Sequence, residues 1–124
     1  MTIREAIERC DLVKPNQFDD ETKVQWLTGL DGKVWQEVIR THEDAPEGGL
    51  PVYNSTKDME TALLIPAPYA GEVYVRYLQS MIDLENAEIG KYNQSAAMYN
   101  AAYREFEAWY NRCHLPLSAG PMRF

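Results

Sequence analysis

Thiols and imidazoles are scarce in this chain: two cysteines, Cys10 and Cys113, and two histidines, His42 and His114, among 124 residues. Two cysteines so far apart make no disulfide framework, and reduced thiols are expected. Long apolar runs are missing too, since nothing approaches the roughly 18 consecutive apolar residues of a membrane-spanning helix. The opening Met1-Thr2-Ile3-Arg4-Glu5 has no apolar stretch of the kind a secretory leader needs. The triplets Asn54-Ser55-Thr56 and Asn93-Gln94-Ser95 are therefore not expected to carry glycans. Basic charge is also short. The formal net charge is −7, and residues 19–47 alone hold eight acids against three bases. Affinity gained by neutralising phosphates needs a basic stripe, and the sequence has none, which argues against sequence-independent nucleic-acid binding.

Motifs of catalysis and metal binding are equally sparse. His42, Glu43 and Asp44 are consecutive, so on a helix their side chains diverge by about 100° each and do not converge on one ion. Cys113-His114 sets a thiol beside an imidazole, but neighbours at a helix end point in different directions, and a nucleophile needs its base within hydrogen-bond reach. Cys113 is expected as a small core residue, with His114 favourable near a helix C-terminus. The pairs Glu85/Glu88 and Glu105/Glu107 read as solvated helix faces. Gly48-Gly49 is followed by neither the G-K-[ST] nor the helix start of a phosphate loop. No catalytic, cofactor-binding or metal-ligating residue is assigned, no cofactor is implied, and the chain is not expected to be an enzyme.

What the chain does have is helical periodicity. Its length suits one compact domain. Thr2-x-x-Glu5 fits a capping box, followed by Ile3, Ala6 and Ile7 at helical spacing, so a helix is expected over 3–10 and ends before Lys14-Pro15. Asp19-Asp20-Glu21 favours a helix N-terminus, and Leu27, Leu30, Val34 and Val38 continue it over 20–41, with Gly29 and Gly32 as a place to bend. Pro68 suits the start of a third helix carrying Tyr74, Tyr77, Leu78, Met81, Ile82 and Leu84 and weakening near Gly90. After a break at Tyr92-Asn93-Gln94-Ser95, the residues Tyr99, Ala102, Tyr103, Phe106, Trp109, Tyr110 and Cys113 form one apolar stripe. The fold class expected is all-α: a bundle of about four helices built on a long C-terminal αα-hairpin. Residues 1–114 are expected to form the single domain and 115–124 a flexible tail.

Between the second and third helices, residues 43–68 carry Pro46, Gly48, Gly49, Pro51, Pro66 and Pro68. A segment of that length without helix suggests either an extended arm or a short β-hairpin, with Leu50–Tyr53 and Ala62–Ile65 as its strands. Eight tyrosines and three tryptophans favour surfaces with one dry and one wet end. On the apolar stripe, Tyr77, Tyr99, Tyr103 and Tyr110 read as core. Tyr53, Tyr69, Tyr92 and Phe124 are the candidate interface residues.

Several runs resemble a family of small tailed-phage and prophage proteins: Leu64-Ile65-Pro66-Ala67-Pro68-Tyr69, Tyr74-Val75-Arg76-Tyr77-Leu78, Asp83-Leu84-Glu85-Asn86, and Lys91 through Asn100 followed by Trp109-Tyr110-Asn111-Arg112. Upstream, Trp26-Leu27-x-x-Leu30-Asp31-Gly32 and Glu37-Val38-Ile39 fit the same pattern, so the resemblance covers most of residues 2–114. Members of this family look like helical head–tail connector, or adaptor, proteins that form a ring beneath the portal. The resemblance implies a non-enzymatic virion structural protein, present in the host cytoplasm before assembly. Its implied partners are further copies of itself, the portal and tail-side or neighbouring connector proteins, with no membrane and no specific nucleic acid. DNA would pass through the ring, and an acidic surface suits such a conduit because DNA does not stick to it. Two alternatives stay open: a transient morphogenesis or tail-completion factor, and a small nucleic-acid-binding regulator built on a helix-turn-helix over 3–41.

Overall fold

The computed structural model describes residues 1–117, with α1 over Ile3–Val13, α2 over Asp20–Glu37, α3 over Tyr69–Glu85 and α4 over Ile89–Cys113. A short 3-10 turn, Ile39–Thr41, follows α2. The all-α class, the four helices and the packed α3–α4 hairpin agree with the periodicity of the sequence. Among the described residues no helix is long and apolar enough to cross a membrane.

The α1 start is capped as the sequence suggests. Thr2 Oγ1 accepts from the Glu5 amide at 3.1 Å while Glu5 Oε1 accepts from the Thr2 amide at 2.8 Å. The remaining first-turn donors find partners elsewhere in the chain: Ile3 N–H donates to the Thr61 carbonyl at 3.1 Å and Arg4 N–H to the Met59 carbonyl at 2.9 Å. Residues 59–61 therefore complete a helix N-terminus that local sequence caps only in part. The Asp19 carboxylate caps α2, accepting from the Thr22 amide at 2.9 Å.

Ile3, Ala6, Ile7 and Cys10 of α1 and Val24, Leu27, Leu30 and Val34 of α2 are buried with Val73, Tyr74, Leu78 and Ile82 of α3. Tyr99, Tyr103, Phe106 and Tyr110 of α4 join the same core, as do Val38, Ile39, Met59, Leu63 and Ile65. Each fully buried side chain of the Leu, Ile or Phe kind removes apolar surface worth about 1.5–3 kcal/mol.

Several expectations are corrected. α1 runs on to Val13, because Lys14, its C-cap, still closes a bond to the Cys10 carbonyl at 2.8 Å before Pro15 stops it. α2 continues through Gly29 and Gly32 without ending and stops at Glu37, short of residue 41. The α3–α4 turn is at 86–88, and both Gly90 and the run Tyr92–Ser95 lie inside α4. There Glu88 N–H donates to the Asp83 carbonyl and Ala87 N–H to the Leu84 carbonyl, both at 3.0 Å, with Ala87 at φ +58°. This pair of bonds closes the helix end in the way a left-handed glycine usually does, and here an alanine occupies that position. Cys113 is exposed instead of joining the core, and Leu84 is 40% exposed. Both sit at helix ends, where the apolar stripe runs past its partner.

Neither Leu50–Tyr53 nor Ala62–Ile65 forms a strand, so the expected β-hairpin is not formed; among the described residues the pairing consists of two isolated antiparallel bridges, Thr2 with Ala62 and His42 with Pro116. Nor does the second half of the 43–68 segment behave as a free arm, since Met59, Leu63 and Ile65 are buried. Residues 115–117, expected to open a flexible tail, pair instead with 41–43: Glu43 N–H donates to the Leu115 carbonyl and Leu117 N–H to the Thr41 carbonyl, each at 2.8 Å. The rest of that tail, 118–124, lies outside the described residues.

Candidate functional site

The polar groups inside this core show how its outer faces are held. Asp31, on the inner side of α2, is fully buried. Its Oδ2 accepts from the Tyr53 hydroxyl at 2.5 Å and from the Leu64 amide at 3.0 Å. Its Oδ1 accepts from the Tyr74 hydroxyl, which in turn accepts from the Ile65 amide at 2.9 Å. One carboxyl thus ties α2, α3 and two points of the 42–68 segment together. Burial pushes the Asp31 carboxyl above the usual carboxylate range, against the two hydroxyls and the amide that pull it down. Burial, with the neighbouring Asp31 charge, keeps Tyr53 and Tyr74 well above the ordinary phenol, so both remain donors. None of the three grooves described below is lined by Asp31.

Two further pairs lock the helices. Lys14 Nζ lies 2.6 and 2.8 Å from the two oxygens of buried Asp83, and the Ser95 hydroxyl donates to the same carboxylate at 2.8 Å. That joins the end of α1 to α3 and α4. Lys23, 2% exposed, reaches Asp11 at 2.7 Å, where the Asn16 amide also donates. A buried ammonium of this kind is tolerated only when paired.

At the far end of the hairpin the imidazole of buried His42 bridges the Val38 carbonyl, 2.6 Å from Nδ1, and the Asn111 side chain, 2.9 Å from Nε2. Tyr110 lies between the two histidines, edge-on to His42 at 4.8 Å and stacked on His114 at 3.7 Å. His114 also approaches Asp44 at 3.4 Å. His42, Asp44 and His114 thus share one corner, yet among the described residues no group of three or more His, Cys, Asp or Glu is placed to hold a metal ion. Cys10 is buried, and that burial pushes its thiol up to about 11, far from a thiolate at neutral pH.

The outward side of α3 is flanked by grooves. Between α1 and α3 runs one of 610 Å³, which includes Glu8, Arg9, Leu12, Pro68, Ala70 and Gly71. Between α3 and α4 lies one of 440 Å³ along Tyr69, Arg76, Met98, Ala101, Ala102 and Glu105. A third, of 300 Å³, joins Val13, Val75 and Gln79. Small residues line the first two, Ala67, Ala70 and Gly71 in one and Ala101 and Ala102 in the other. At Gly71 a Cβ would come within 2.8 Å of Arg9 Nη1, so glycine lets that guanidinium lie across α3. Leu12 is 82% exposed and Met98 48%, apolar surface that nothing in this chain covers among the described residues.

The four candidate interface residues are scattered over this molecule. Tyr53 is half-buried and its hydroxyl is bound to Asp31. Tyr69, also half-buried, packs on Trp109 with ring centroids 5.2 Å apart and lines the α3–α4 groove. Tyr92 is half-buried near the start of α4. Phe124 lies outside the described residues. The structure brings none of the three described tyrosines into one patch. Sequence reasoning passed over the α1–α3 groove; the one signal that could have found it is Gly71 in a first helical turn, beside Ala67 and Ala70. Comparisons with protein-family models, with curated proteins and with solved structures find no match to this chain.

Proposed function

We propose that this chain is a structural assembly protein of a phage or prophage particle, a head–tail connector subunit that forms a ring next to the portal. The family resemblance of residues 2–114 suggests the role. The observation that carries it on the physical side is the build of the molecule: a stiff α3–α4 hairpin with open grooves on its outer face and apolar residues presented away from the core. Leu50, Val52, Leu115 and Leu117 are all more than half exposed, at 52%, 79%, 67% and 60%. Apolar residues on segments outside a helical body suit contacts with a neighbouring subunit.

The acids of 19–47 divide in a way that fits a conduit. Asp31 is buried, while Asp19, Asp20, Glu21, Glu37, Glu43, Asp44 and Glu47 are exposed. In a ring these would face the lumen and repel passing DNA. A ring structure that set them on the outer rim would overturn this part of the proposal.

Mass spectrometry of purified, DNA-filled particles from the phage or induced prophage that carries the gene tests the whole. A connector is present at the copy number of a small cyclic ring. Absence from particles, together with failed assembly in a knockout, would instead make the chain a transient morphogenesis factor.

A further inference from the structure

The α1–α3 groove has a chemistry of its own. Small residues, Ala67, Pro68, Ala70 and Gly71, line its floor, the Arg9 guanidinium lies over Gly71, and Leu12 stands at its edge. Its 610 Å³ falls within the roughly 300–1,000 Å³ of ordinary binding sites. Its rim carries Glu5, Glu8 and Glu72 against Arg9 and the amino group of Met1. Glu5 caps α1 and Glu72 holds Arg76 at 3.2 Å, whereas Glu8 has no ion-pair partner among the described residues. The ligand this calls for is a short stretch of chain with a cation between two apolar side chains.

The sequence contains one such stretch outside the described residues. Arg4, Arg9, Arg40, Arg76, Arg104 and Arg112 all belong to helices or the 3-10 turn. Arg123 lies between Met122 and Phe124, in a seven-residue segment, 118–124, that carries one basic and no acidic side chain. In an extended chain, residues two apart face the same side. Met122 and Phe124 could then meet the groove floor while Arg123 meets the rim. The body holds the chain as far as Leu117, through its bond to the Thr41 carbonyl at 2.8 Å. Seven further residues span at most about 25 Å, enough to cross to an adjoining subunit.

We propose that Met122-Arg123-Phe124 of one copy docks in the α1–α3 groove of a neighbouring copy, with Arg123 against Glu8. This rests on the connector reading, because a head-to-tail contact between two different surfaces is what closes a ring. A contact this short has a Kd on the order of 0.1–1 mM between free subunits and gains strength from closure.

The test uses the full chain in two forms. One is unlabelled Cys113→Ser/Ser118→Cys carrying a nitroxide at position 118; buried Cys10 stays unreacted. The other is 15N-labelled and free of nitroxide. On mixing at sub-millimolar concentration, the Leu12, Ala70 and Gly71 amides lose intensity. Phe124→Ala in the nitroxide copy, or Leu12→Glu in the 15N copy, restores it. No loss between copies overturns the proposal. Loss only when nitroxide and 15N share one molecule also overturns it, since the segment then folds back on its own body. Particle mass spectrometry judges the connector reading separately: a chain absent from particles fails that reading even where the amides respond.

Discussion

Along α3 and α4 the contacts are apolar and repeat with the helix: Tyr77 meets Tyr99 at 5.1 Å, Tyr103 meets Phe106 at 6.2 Å, and Phe106 meets Tyr110 at 5.8 Å. Residues 42–68 bury Met59, Leu63 and Ile65 in the same core, but are also held by specific polar bonds: the Tyr53 hydroxyl and the Leu64 amide on Asp31, the Ile65 amide on Tyr74, and three backbone bonds to residues 1–4. The first region loses stability in proportion to the apolar surface removed. The second depends on single atoms as well, because a buried donor stripped of its acceptor carries its whole desolvation cost.

Phe106→Ala breaks the first side of this contrast hardest. Phe106 is fully buried at the meeting point of Tyr69, Tyr103, Trp109 and Tyr110, and truncation should cost about 3–5 kcal/mol in urea unfolding. With domain stabilities of about 5–15 kcal/mol, that change brings the molecule close to unfolding. A cost under about 1 kcal/mol would mean the hairpin is not the core.

Asp31→Ala attacks the other side. Stranding two hydroxyls and one amide should cost roughly 2–4 kcal/mol. The loss should be uneven, with hydrogen exchange quickening at Leu64 and Ile65 and proteolysis entering residues 43–58, while α4 amides stay protected. Uniform loss of protection would show that the two regions unfold as one.

A smaller effect is expected from Ala87→Gly. Ala87 sits at φ +58° in the turn between α3 and α4, where a side chain costs about 1–2 kcal/mol that glycine avoids. Glycine's greater freedom in the unfolded chain offsets part of this, leaving a gain of about 0.5–1 kcal/mol in thermal unfolding. A loss would place the strain elsewhere.

The smallest effect sets one carboxyl against another by pH. Asp31 is raised in the fold, so the folded state holds its proton longer than the unfolded one. Its contribution is full below the unfolded value of about 4 and is lost as pH rises through the folded one. Asp19 is lowered by the Thr22 amide it accepts, so its contribution is present above the unfolded value and lost as pH falls. On acidification the stability of the native chain should therefore rise relative to Asp31→Asn and fall relative to Asp19→Asn. Matching slopes for the two variants would remove the distinction.

These contrasts follow what could be read in the residues beforehand. Apolar spacing is a local property, so Tyr99, Tyr103, Phe106 and Tyr110 announce a buried face wherever the helix lies. Thr2-x-x-Glu5 announces a cap, and Asp19-Asp20-Glu21 a helix start, for the same reason. The partners of Asp31 are 22, 33 and 43 positions away, and nothing in the sequence near Gly29–Gly32 marks an aspartate as buried. Tyr53, set out as an interface residue, turns its hydroxyl inward for that reason. The α1–α3 groove is a property of two helices at once, and its only local trace is a run of small residues.

The sequence by itself determined the helical class, the number of helices, the cap of α1, the acidic start of α2 and the apolar face of α4, because each rests on side chains within one or two turns of one another. Only the tertiary structure decided that 59–63 closes the start of α1, that 115–117 pairs with 41–43, that Ala87 takes a glycine's place at the turn, and that Asp31, Asp83 and Lys23 lie inside. Apart from the local turn at Ala87, those outcomes rest on hydrogen bonds and ion pairs between residues distant in the chain. Their energy exists only once packing has removed water and brought the partners within about 3 Å.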